Sequence, residues 1–94
     1  MQPFTLPQLD AIRAVAAGKM ETLSPKRSLL NPWTRECAIR AWNFHDDILM
    51  AANAVEDGLP YATDELDALV CDSMDYNRAI EAATVHAVAE GKAA

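Results

Sequence analysis

Residues 31–60, "NPWTRECAIRAWNFHDDILMAANAVEDGLP", determine how the rest of the chain can fold. The stretch opens on Asn31, a good acceptor for a first-turn amide, and on Pro32, whose fixed φ suits the first helical position. It closes on Gly58, which takes left-handed backbone easily, on Leu59, placed to fold back on Ala54, and on Pro60, which cannot continue a helix. No Gly or Pro interrupts the interval, so the spacing predicts one helix over 32–57, about 39 Å long at about 1.5 Å per residue. That length exceeds what a 94-residue globule needs, and its core stripe (Cys37, Ala38, Ala41, Phe44, Ile48, Ala51 and Val55) demands a partner helix.

Working outward toward the C-terminus, Thr63 opens a second helical stretch, with Asp64, Glu65 and Asp67 placed where carboxylates favour the positive end of the helix dipole. Leu66, Leu69, Val70, Ser73, Tyr76, Asn77, Ile80, Ala83, Ala87 and Val88 recur at steps of three and four, predicting one helix over 64–90 with a broad apolar stripe. The short connection requires the two helices to lie antiparallel. Toward the N-terminus, Thr5 and Gln8 have capping-box spacing, and Phe4 with Leu9 forms a hydrophobic staple. Pro7 is harmless in a first turn, Leu9, Ile12 and Ala16 line one face, and Gly18 offers a stop, predicting a short helix over 6–17. Residues 19–30, with Ser24-Pro25 and no sustained period, read as an ordered loop. The expected architecture is a single all-α domain over residues 1–94: a long antiparallel helical hairpin, a short N-terminal helix packed across it, and completion by dimerisation.

Apolar residues make up 51% of the chain, as in globular proteins, but many are alanines that fill little volume. The net charge of −6 argues against direct nucleic-acid binding and against an anionic membrane surface. Residues 1–40 carry six bases against three acids, a balance of +3, and residues 41–94 carry two bases against eleven acids, a balance of −9. Such halves complement each other within or between copies, or offer an acidic face to a basic partner. No apolar run reaches the ~18 residues of a membrane span, and the first ten residues lack the basic and apolar parts of a secretory leader, so a cytoplasmic protein is expected.

Chemistry-bearing residues are sparse. In a hairpin centred near residue 60, Cys37 lies far from Cys71, and neither belongs to a CxxC pair, so buried or half-buried free thiols are expected and no metal or disulfide. The same reckoning sets His45 level with Asp75 and Tyr76. A general base could be built there, yet no nucleophile or Gly-rich oxyanion loop accompanies it, and the expected role is a core-edge histidine donating to Asp75. Asp46 and Asp47 point about 100° apart on a helix and do not converge. No catalytic residue and no cofactor is expected.

Interface chemistry is better represented. Trp42 and Leu49 form a second apolar edge beside the core stripe, and Trp33, Arg35 and Arg40 stand close by; tryptophan and arginine are the commonest interface anchors. A second candidate surface is the acidic array Asp64, Glu65, Asp67, Asp72 and Asp75. Another reading takes Lys26, Arg27 and the Asn31 helix start, with Trp33, Arg35 and Arg40, as a binding module for a phosphorylated small molecule or nucleotide, although no glycine-rich fingerprint accompanies them. In size and composition the chain is similar to phage and prophage accessory proteins and to antitoxins, a likeness that no motif carries. The function expected is that of a small acidic, non-catalytic inhibitor or adaptor, itself a homodimer, that occludes a surface of another protein.

Overall fold

Thr5 starts the first helix as its spacing predicts: its hydroxyl accepts from the Gln8 amide at 3.3 Å, and its own amide donates to Gln8 Oε1 at 2.8 Å. The computed structural model describes residues 4–91, with side chains through residue 86, and every regular element among them is helical. These are α1 (Leu6–Leu23), a 3-10 turn (Ser24–Ser28), α2 (Pro32–Glu56), α3 (Ala62–Val70) and α4 (Met74–Gly91). The expected stripe positions Ala87 and Val88 lie outside the described side chains.

Gly18 does not stop α1, which runs to Leu23, so the expected short helix over 6–17 is corrected. Gly18 has no positive φ, and the residues after it propagate a helix well until Pro25, which lacks an amide to donate, forces the tighter turn.

The ends of α2 follow the sequence closely. Asn31 Oδ1 accepts from the Thr34 amide at 3.0 Å. At the other end Gly58 sits at φ 76°, its amide donates to Val55 O, and the Leu59 amide reaches back to Ala54 O, both at 3.0 Å. These paired bonds satisfy carbonyls that the helix terminus would otherwise leave open.

The predicted helix over 64–90 is two helices. The chain breaks at Cys71–Ser73 without Gly or Pro, and Asn77 Nδ2 donates to the freed Cys71 carbonyl at 3.0 Å. A side chain that satisfies an orphan carbonyl lowers the cost of such a break. The apolar stripe keeps its phase: Leu66, Val70 and Tyr76 are all buried, on both sides of the break.

The break redirects α4. α3 packs on α2, but α4 packs along α1. Gln8 meets Thr84 and Lys19 meets Asp75, so α1 and α4 run in opposite directions. Arg13 meets Asn53 and Glu56 while Arg27 meets Trp42, so α1 and α2 are antiparallel as well. The N-terminal helix is therefore the central element, flanked by α2 and α4, rather than a short piece across a long hairpin. Phe4, Leu9, Ile12 and Ala16 meet Ile48, Ala52, Val55, Leu66, Val70 and Tyr76 in one core. The molecule is elongated, 53 × 27 × 20 Å.

Candidate functional site

The long α2 outruns the helices that cover it. Every residue from Ser28 to Cys37 is exposed, including Leu30 at 94% and Trp33 at 77%. Trp33, Cys37, Arg40 and Phe44 follow at steps of four, three and four, which puts them on one face. Asp47, next on that face, is still exposed, and Ala51 after it is buried where α3 packs. Phe44 marks the edge of the cover: it lines a crevice with Ala68, Leu69, Asp72 and Ser73, at the end of α3. A continuous second arm would have run on over Cys37 and Trp33. Because the chain turns to α1 at Cys71–Ser73, that face stays bare. Two stripe residues expected in the core, Cys37 and Phe44, are consequently exposed, and both cysteines are exposed free thiols, contrary to the expected burial.

Around the bare face, Arg40 Nε donates to Glu36 Oε1 one turn away at 3.0 Å, and Arg35 donates to Leu29 O at 3.3 Å, which ties the Leu29–Leu30 segment to the helix. Leu29 and Leu30 are residues that the sequence reading missed. Two adjacent leucines with no periodic apolar neighbours, between Ser24-Pro25 and Asn31-Pro32, were the available signal.

Trp42 and Leu49 do not form an open edge. The Arg27 guanidinium lies 4.2 Å from the centre of the Trp42 ring, and Leu49 packs against the core. Arg27 also donates to Ser24 Oγ at 3.2 Å, while its Nε is buried with no hydrogen-bond partner, so the ring face is its main compensation. Lys26, Arg27 and Asn31 are not gathered into a phosphate cradle: Arg27 is turned to Trp42, and the Asn31 side chain is spent on its own helix.

His45 contacts Tyr76, not Asp75. Its Nδ1 lies 2.7 Å from Tyr76 Oη, and the edge of Phe44 meets its ring at 5.3 Å. Burial, with Asp75 adding to it, pushes the Tyr76 phenol up to about 12, so the hydroxyl is the donor and Nδ1 the acceptor. Burial, reinforced by the Lys19 charge and opposed by Asp75, lowers the His45 pKa. Asp75 is instead bound by Lys19, whose ammonium holds its carboxyl below the usual range. The arrangement is a neutral clamp between the first turn of α4 and the middle of α2.

The acidic candidates are also separated. Asp64, Glu65, Asp67 and Asp72 are exposed on α3 and the turn after it, whereas Asp75 is paired with Lys19. Among the described residues no three His, Cys, Asp or Glu side chains converge on a point, and no helix is long and apolar enough to cross a membrane. Compared with models of protein families, with curated proteins and with solved structures, the chain has no significant match.

Proposed function

We propose that this chain is a non-catalytic protein-binding protein of the cytoplasm, an inhibitor or adaptor that covers a functional surface on another protein. The observation that supports this reading is the bare N-terminal face of α2: Trp33, Cys37, Arg40 and Phe44 exposed along one side, with Leu30 exposed just before the helix begins. A large indole with an exposed guanidinium on the same face is the composition of an interface anchor. Its setting on a regular helix keeps the ordering cost of binding low. The unpaired carboxylates Asp64, Glu65, Asp67 and Asp72 add an acidic field that steers a partner with a basic surface and turns nucleic acid away.

Affinity capture from the lysate of the source cell, with the native chain and with Trp33→Ala as parallel baits, tests the proposal. A stoichiometric partner held by the first and lost by the second supports it. A partner retained by Trp33→Ala but released by neutralising Asp64, Glu65 and Asp67 moves the contact to the acidic face. Recovery of bait alone in every lane overturns the proposal.

A further inference from the structure

We infer that a second copy of this chain covers the bare face in the free protein, with the two α2 helices packed antiparallel about a two-fold axis near Ala38. The inference takes the same face as the function proposed above, so self-association would mask the docking surface until a partner displaces it.

Three observations converge on this occupant. The first is continuity with the chain's own packing. The bare face is the unfinished part of the surface that α3 already covers, and α3 follows α2 through a tight turn, so it runs back along α2. An antiparallel α2 from a second copy runs in that same sense, in the place a continuous second arm would have occupied. The second is self-complementarity. Turning α2 about an axis near Ala38 sets Trp33 of each copy level with the region of Phe44 in the other, and brings Arg40 of each to Glu36 of the other. Arg40 and Glu36 are 79% and 54% exposed as side chains, which leaves both able to bond across the interface. A two-fold interface requires this reciprocity, residue i to j and j to i. The third is the charge order of the chain. Along α2, Arg35 and Arg40 stand in the first half and Asp46 and Asp47 farther on, with Asp72 beside Phe44, so an antiparallel pair brings bases of one copy toward acids of the other and a parallel pair stacks like on like.

Size agrees with an exchangeable dimer. Trp33 and Phe44 together offer on the order of 250 Å² of apolar surface per copy, so with the polar rim on both copies the total stays at or below about 1,000 Å², the range of weak, exchangeable interfaces.

Sedimentation equilibrium and reciprocal charge reversal test the inference. The native chain is expected to be a dimer at tens of micromolar, and Trp33→Ala to weaken it at least tenfold. Arg40→Glu and Glu36→Arg, each alone, place like charges across the axis and give monomers; mixed, they form a one-to-one heterodimer. Circular dichroism on each variant confirms the fold, since both positions are exposed. Mild oxidation of the native dimer is expected to link Cys37 to Cys37, a product that Cys37→Ser abolishes and Cys71→Ser leaves intact. A native chain that sediments as a monomer at 100 micromolar overturns the inference and leaves the protein-binding reading to be judged by capture with Trp33→Ala. A dimer indifferent to Trp33→Ala and to both charge reversals overturns it also, because the pairing then uses another face.

Discussion

Tyr76, fully buried at the start of α4, donates its hydroxyl across 2.7 Å to Nδ1 of His45 in the middle of α2. This bond holds the first turn of α4 against α2 before the helix departs along α1. It joins the two elements whose separation leaves the Trp33 face bare.

The pH dependence of stability follows from the two members of that bond. Tyr76 has a folded pKa of about 12 against 10.0 unfolded, so the unfolded chain gives up its proton first. Stability is therefore full below pH 10 and falls between pH 10 and 12, by about 2–3 kcal/mol from this group. For His45 the folded pKa is lowered from 6.5, so the unfolded state binds more protons in the window beneath 6.5. Its contribution is full above that value and is lost as the pH falls toward the folded pKa. Urea melts from pH 5 to 11.5 test both limbs. Tyr76→Phe should flatten the alkaline limb and cost about 1–2 kcal/mol at neutral pH, because it leaves Nδ1 without its donor.

Two backbone positions call for opposite substitutions. Gly18 lies within α1 at an ordinary φ, and an added Cβ meets nothing within 4 Å. Gly18→Ala should stabilise the protein by about 0.5–1 kcal/mol. Gly58 sits at φ 76°, and Gly58→Ala should cost about 1 kcal/mol although its Cβ also meets open space. Denaturant midpoints at unchanged slope check both.

Tyr61 holds φ 70° with its side chain 86% exposed. The left-handed backbone costs a non-glycine residue about 1 kcal/mol, and little packing is lost with an exposed ring. Tyr61→Gly should accordingly leave stability unchanged or raise it by up to about 1 kcal/mol, whereas a loss above that would show that the ring is held by contacts. Thermal melts of the pair decide it.

The two tryptophans should differ in solution. Trp33 is 77% exposed, whereas Trp42 is half-buried beneath the Arg27 guanidinium. Single-tryptophan chains, Trp42→Phe and Trp33→Phe, diluted to the monomer, should show a red-shifted, readily quenched Trp33 and a shielded Trp42. Arg27→Ala should expose Trp42 to acrylamide and cost about 0.5–1 kcal/mol. Because the dimer inferred above covers Trp33, quenching of that residue should rise on dilution.

What the sequence determined by itself was local. Asn31-Pro32, Gly58-Leu59-Pro60 and the Thr5–Gln8 box specify helix ends through hydrogen bonds and φ preferences spanning a few residues, and all three are present in the structure. The helical phase of Leu66, Val70 and Tyr76 was equally legible, because periodicity survives a break that keeps the same face inward. The tertiary structure alone decided that the chain breaks at Cys71–Ser73 and that α4 chooses α1 over α2. Each of these depends on groups distant in sequence: Lys19 bound to Asp75, Gln8 to Thr84, His45 to Tyr76. No dipeptide signal encodes them. The candidate site shares this origin. Trp33 was visible from the start as a candidate anchor, but its exposure follows from a helix going elsewhere, and where a helix goes is set by which apolar faces bury each other most completely.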